Sequence, residues 1–245
     1  MKRINGLLIV LLLLPFVMQA QFTRFGKIEY ERKLNIHALM DEDEDSEWYQ
    51  KIKSQVPKFT STFYDLFFNT RETLYKPGRE TDGQNKLFGM SSASENIVLT
   101  NFDTRRVKAC KPIYEQKFII EDTVRKMQWK IKDEIRTIAN YKCRKAVSKI
   151  CDSVYVVAFY TEDIMVSGGP EMMAGLPGMI LELAIPRLHT TWTATKVDII
   201  EPKESDFTVP DKGKHVDQKD LYESLKGSFK NWGKSANKNV WWCML

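Results

Sequence analysis

Glu162, Asp163, Glu171 and Glu182 are the residues best placed for chemistry, because neighbouring carboxylates can divide the roles of general acid and general base. Their spacing alone does not bring them together, and the plainer reading is charge on the wet side of two strands and a loop. Glu182 stands apart, since it interrupts a run otherwise apolar on both faces, where a buried carboxylate needs a partner. His37, His189 and His215 lie in no metal-ligand spacing with one another or with a cysteine pair. Asp41, Asp43 and Asp45 have the spacing of a calcium loop. Ser46 stands where that loop needs glycine and Ile52 where it needs glutamate, so a solvated turn is expected. No phosphate-cradling glycine loop, nucleophile elbow or metalloprotease helix motif occurs. The sequence therefore predicts no cofactor, no metal and no catalytic residue.

The four carboxylates flank a segment whose backbone is well specified. In Gly175-Leu176-Pro177-Gly178, proline presets φ for the second position of a turn and glycine accepts positive φ at the third, which predicts a type II turn over Leu176 to Met179. A strand should leave that turn, because Met179, Leu181, Leu183 and Ile185 form one apolar face and Glu182 falls on the other. Upstream, Val154 to Tyr160 is β-branched and aromatic on both faces, which suits a strand well inside a sheet. Gly168-Gly169-Pro170 closes the excursion between the two strands.

Gly175-Leu176-Pro177-Gly178-Met179-Ile180, preceded by Tyr160-Thr161-Glu162-Asp163-Ile164 and Ser167-Gly168-Gly169-Pro170, resembles the signature of the GLPGLI family of secreted bacterial proteins. Gly26 to Glu31 and Tyr141 to Ala146 sit where that family has similar elements, so the resemblance covers most of the chain beyond its first residues. Met179 replaces the usual leucine and Phe159 stands where tryptophan is commoner, both apolar exchanges that a core absorbs. The resemblance brings no defined biochemical role with it.

Lys2 and Arg3, the apolar run Leu7 to Val17, and Met18-Gln19-Ala20 have the outline of a signal peptide cleaved after Ala20, with a run shorter than a membrane span requires. Export to the periplasm or beyond follows, with residues 21–245 as one β-rich domain and no integral membrane segment after cleavage. The chain carries 37 basic and 32 acidic residues, well mixed, which argues against nucleic acid as a partner. Arg105-Arg106-Val107-Lys108 is too short for a binding stripe. Cys110, Cys143, Cys151 and Cys243 are even in number in a chain bound for an oxidising compartment, so at least one disulfide is expected, with Cys143 the foremost participant.

Short alternating segments dominate the remainder. Strands are predicted at Gly26 to Ile36, Lys58 to Asn69, Glu72 to Tyr75, Ile97 to Phe102, Arg106 to Cys110, Tyr114 to Ile120, Gln128 to Ile131 and Ile135 to Ala146. The first should open the sheet, and Phe59, Phe63, Phe67 and Phe68 should feed the core. A short helix is expected to carry Trp48, Ile52 and Val56, and Lys76 to Ser94 reads as an exposed loop. Leu221, Leu225 and Phe229 recur every four residues and predict a helix near 217–232.

These elements predict a mainly β fold, a curved antiparallel meander resembling a half-barrel with one or two helices packed on it. The function expected is that of a non-enzymatic envelope protein that binds a hydrophobic ligand or a partner segment. Its binding residues would be Leu176, Pro177, Met179, Glu182 and Tyr160, with Trp192, Trp232, Trp241 and Trp242 as further candidates for a groove lining. An enzyme using the carboxylates around the central loop, or a surface interaction module, is the alternative.

Overall fold

The computed structural model describes residues 22–41, 51, 53–80, 93–151, 153–233 and 236–245. The expected signal peptide, the calcium-type spacing of Asp43 to Ile52, the helix around Trp48 and the middle of the 76–94 loop lie outside the described residues.

Period-two alternation is realised along nearly the whole chain. The strands are β1 (Gly26–Asn35), β2 (Phe59–Phe68), β3 (Glu72–Pro77), β4 (Ile97–Asn101), β5 (Arg106–Ile113) and β6 (Gln116–Thr123). They continue as β7 (Lys130–Ile138), β8 (Tyr141–Ile150), β9 (Val154–Thr161), β10 (Met179–Ile185), β11 (Thr190–Asp198) and β12 (Lys214–Val216). The helices are α1 (Ile36–Asp41), α2 (Gln218–Ser228) and α3 (Ala236–Cys243). No helix among the described residues is long and apolar enough to cross a membrane.

All twelve strands join one sheet in the order β12-β6-β5-β4-β3-β2-β1-β11-β10-β9-β8-β7. Two meanders, β1 to β6 and β7 to β11, therefore meet where β1 pairs with β11. Every pairing is antiparallel except β12 with β6. The sheet is curved, and the connection from β6 to β7 requires it. Flat, ten inter-strand steps of about 4.8 Å would separate those strands by roughly 48 Å. The seven residue steps from Thr123 to Lys130 reach at most about 25 Å. The sheet must curl until its two margins face each other, with residues 124–129 spanning the gap.

The face turned inward carries Ile28, Tyr30, Arg32 and Leu34 of β1, Tyr64, Leu66 and Phe68 of β2, and Met179, Leu181, Leu183 and Ile185 of β10, all buried. Helix α3 fills that concavity, with Trp242 5.5 Å from the Arg32 guanidinium. Helix α2 covers it beside β6, burying Leu221 and Leu225, with Phe229 at its end. Asp217 caps α2 by accepting from the Asp220 amide at 2.7 Å.

Several expectations are corrected. β1 lies mid-sheet rather than opening it, and it stops at Asn35, whose side chain accepts from the Ala38 amide at 3.1 Å and starts α1. The strand predicted over Ile135 to Ala146 is a hairpin, because Ala139 and Asn140 both take positive φ, 48° and 69°, and reverse the chain. Of the four β2 phenylalanines only Phe68 is fully buried. Alternation turns Phe59, Phe63 and Phe67 outward, where Arg79 lies over Phe63 at 3.4 Å and Lys76 over Phe67 at 4.6 Å. Helix α3 was not foreseen, since two turns are too few for an apolar stripe to declare itself.

Candidate functional site

The segment Ser167 to Gly178 leaves β9, folds over the interior and enters β10. Leu176 is buried, Pro177 is exposed, and the chain bends between them. Gly178 has positive φ, but its 155° is far from the roughly 80° of the predicted type II turn. What demands glycine there is proximity, since a Cβ would lie 2.0 Å from the Thr161 carbonyl oxygen. Leu176, Met179 and Tyr160 are packed in the core and offer no surface, so of the five residues singled out for ligand binding only Pro177 and Glu182 reach solvent. The Tyr160 hydroxyl donates to Glu162 at 3.4 Å. Glu182 points to the outer face and pairs with Arg136 of β7 at 3.1 Å. Its partial burial raises its carboxyl pKa, and Arg136 opposes that rise.

Glu171 goes the other way, into the interior. There it accepts from the Asn96 side chain at 2.8 Å, and burial raises its pKa against the pull of Lys111 and Arg32. The Arg32 guanidinium is boxed by the rings of Tyr64, Trp192 and Trp242 at 5.4, 5.7 and 5.5 Å and donates to the Ala93 carbonyl at 3.1 Å. Lys111, fully enclosed, reaches the Cys243 carbonyl at 3.4 Å, and burial brings its pKa down to about 8. Trp192 donates to the Tyr75 hydroxyl at 2.9 Å, and Tyr75 stacks on Tyr64. This enclosed cluster binds β1, β3, β5, the central loop and α3 together. It is architecture rather than an acid/base site, because Glu171 and Glu182 sit on opposite sides of the sheet with separate partners.

The tryptophans proposed for one groove disperse as well. Trp192 and Trp242 flank Arg32, Trp241 lies 5.0 Å from the Arg187 guanidinium, and Trp232 joins Tyr114 and Phe229 in an edge-to-face trio at the surface. Cys110, Cys143, Cys151 and Cys243 are free thiols, with no disulfide among the described residues. Cys143 is enclosed in β8, where burial pushes its thiol up to about 12. Cys243 is held the same way at about 11. Glu121, Asp211 and His215 bring one possible ligand atom each within 4.8 Å of one another. The Lys108 ammonium already contacts both carboxylates, at 2.9 Å in the case of Glu121, so the charge is met without a metal.

A concave feature of the surface lies where the sheet margins meet. Residues 125–130 and the β8–β9 hairpin enclose a groove of about 960 Å³, lined by Arg125, Lys126, Met127, Trp129, Lys130, Lys132, Lys149 and Tyr155 among others. Among the described residues no carboxylate lines it. Register explains one wall: Lys130 opposes Val147 and Lys149 opposes Tyr155, so pairing places these four side chains on one sheet face. Tyr155 is 57% exposed, and the Lys149 ammonium lies 4.7 Å over its ring. Trp129 is fixed by its Nε1 donating to the Ala174 carbonyl at 2.9 Å, and the Ser148 hydroxyl pins the strand start by donating to the Gln128 carbonyl at 3.0 Å. Arg125 is spent on structure, donating to the Gln218 side chain and to the Met244 carbonyl, each at 3.0 Å. Sequence reading passed over this groove although its signal was present, in that Arg125 to Lys132 interleaves four basic residues with Met127, Trp129 and Ile131.

The fold is a curved, open antiparallel sheet with helices in its concavity and a cationic groove at its margin. The chain matches the family described as "N-glycanase peptide, N-terminal domain" over residues 83–221, more than half its length, and belongs to that family. Two solved structures of PNGF-II, in different crystal forms, superpose with TM-scores of 0.53 and 0.52. Their identities are 17% and 16%, and the matches cover 79% and 89% of this chain but 32% and 33% of theirs. The likeness is therefore one of fold, and the chain spans about a third of the length of those structures. No curated protein matches it.

Proposed function

We infer that this chain is an exported, non-catalytic binding module, a relative of the GLPGLI proteins as well as of the N-glycanase N-terminal domains, and that it takes its ligand in the groove between residues 125–130 and the β8–β9 hairpin. The observation that carries this reading is the groove itself: aromatic rings and cations converge on about 960 Å³ of open space, and among the described residues no carboxylate opposes them. A ligand at the margin is favoured over one in the interior because Trp242, Met244 and Leu245 occupy the concavity that a carrier of hydrophobic molecules would leave empty. The N-glycanase name belongs to proteins of which this chain spans about a third, and the described residues bring together no nucleophile, base and orienting group. An accessory role follows.

Hydrogen exchange of the exported chain, with and without an extract of envelope polysaccharides and lipids, tests this directly. The expected result is protection confined to residues 125–132 and 147–155. Absence of protection there, or release of glycan from an N-glycosylated peptide by the chain alone, overturns the reading. N-terminal sequencing of secreted material should begin at Gln21.

A further inference from the structure

We propose that the groove recognises an acidic oligosaccharide, one bearing uronate or sulfate groups, with the sugar rings against Trp129 and Tyr155 and the anionic groups on Lys126, Lys130, Lys132 and Lys149. The proposal rests on the binding-module reading and names its ligand.

Three observations carry it. The first is charge: the four lysines are exposed and rim one concavity with no carboxylate among its described lining residues, so these residues make its lining cationic although the whole chain is nearly balanced. Among the described residues Lys126, Lys130 and Lys132 form no ion pair, in contrast to Lys27, Lys108 and Lys145, which all do. The second is ring presentation. The phenol of Tyr155 stands out from the sheet face with Lys149 over it, and the indole of Trp129 has its polar edge committed to Ala174, leaving apolar ring surface for the CH face of a sugar. The third is depth. The groove is open along the sheet margin, and the space behind it is packed with Ile150, Val154 and Val156, so an acyl chain has nowhere to enter. A linear polymer with a negative charge on each ring fits such a surface. Lys130 and Lys132 alternate on one face of β7, about 7 Å apart along the strand, which suits contacts to successive anionic groups.

The test uses the full chain and four probes: polygalacturonate, dextran sulfate, neutral dextran and phosphatidylglycerol vesicles. Saturable binding is expected for at least one of the two acidic polysaccharides and not for neutral dextran. Lys130→Glu combined with Lys149→Glu should weaken it by about tenfold or more, as should Tyr155→Ala. Both changes are at exposed positions and should leave the fold intact. Lys212→Glu, a single charge reversal near β12, should leave affinity nearly unaltered. The proposal is overturned if neutral dextran binds equally well, if Lys212→Glu costs as much as a groove reversal, or if Tyr155→Ala has no effect. Binding to vesicles but to neither acidic polysaccharide would also overturn it, while leaving the binding-module reading standing. A groove that no probe and no extract protects from exchange overturns both.

Discussion

The Trp129 indole donates from Nε1 to the carbonyl of Ala174 at 2.9 Å, tying the wall of the surface groove to the loop that leads into Gly175-Leu176-Pro177-Gly178. The most recognisable stretch of the sequence thus acts one step away from the open surface. It buries Leu176 to anchor itself and holds a groove residue with its backbone.

Trp129→Phe keeps an aromatic face but removes the donor, leaving a buried carbonyl unsatisfied. A loss of about 1–2 kcal/mol in unfolding free energy is expected. Hydrogen exchange should quicken locally in residues 174–178. A variant with wild-type stability and unchanged exchange would show that the hydrogen bond positions nothing.

Gly178 and Gly175 separate two reasons for glycine. A Cβ at Gly178 meets the Thr161 carbonyl oxygen at 2.0 Å, whereas at Gly175, with φ of 97°, its nearest neighbour is Trp129 at 3.6 Å. Gly178→Ala must therefore push two strands apart and should cost more than about 3 kcal/mol. Gly175→Ala bears only backbone strain, about 1–2 kcal/mol. Thermal midpoints of the two variants decide the matter, and equal midpoints would remove the close approach as the reason for Gly178.

Cys110, Cys143 and Cys243 are buried thiols, and burial raises the pKa of all three, which keeps the reactive thiolate scarce. Exported protein should therefore resist alkylation at these three positions while folded and accept it at all three once denatured without reductant. Mass analysis of the alkylated chain reads this out. Failure of any of the three to react after denaturation would restore the disulfide.

The strands were legible because each β face sees one environment, so period two survives in the sequence. Even Arg32 falls in the inward set of β1 beside Ile28, Tyr30 and Leu34. Its destination was not legible, since the Tyr64, Trp192 and Trp242 box assembles from β2, β11 and α3. The curve of the sheet was expected, but not the join behind it, in which β1 meets β11 across most of the chain length. Sequence singled out Glu182 as the carboxylate in need of a buried partner, yet Glu171 is the one drawn in, beside Asn96, while Glu182 is held out by Arg136. The groove was hidden for another reason: half its wall is the irregular segment 125–129, which has no periodicity to read.

Lys111 supplies a pH dependence whose sign follows from its burial. Enclosure brings its pKa from 10.5 down to about 8, with Glu171 opposing the fall, Arg125 adding to it, and Cys243 and Cys151 opposing it more weakly. Below about pH 8 the lysine is protonated in both the folded and unfolded states, and its burial as a cation costs stability. Between about pH 8 and 10.5 the unfolded chain still binds the proton and the folded one does not, so this residue makes stability rise with pH, by up to about 1.4 kcal/mol per unit. Buried tyrosines and cysteines with raised pKa values act in the opposite direction at high pH, so the clean observable is a difference between two proteins. Lys111→Met fills the same space without a titrating group. Urea unfolding at pH about 8 and about 10 should find wild type gaining on Lys111→Met by roughly 2 kcal/mol across that interval. A difference that stays flat would mean that Lys111 keeps an ordinary pKa in the folded chain, with water reaching its ammonium group.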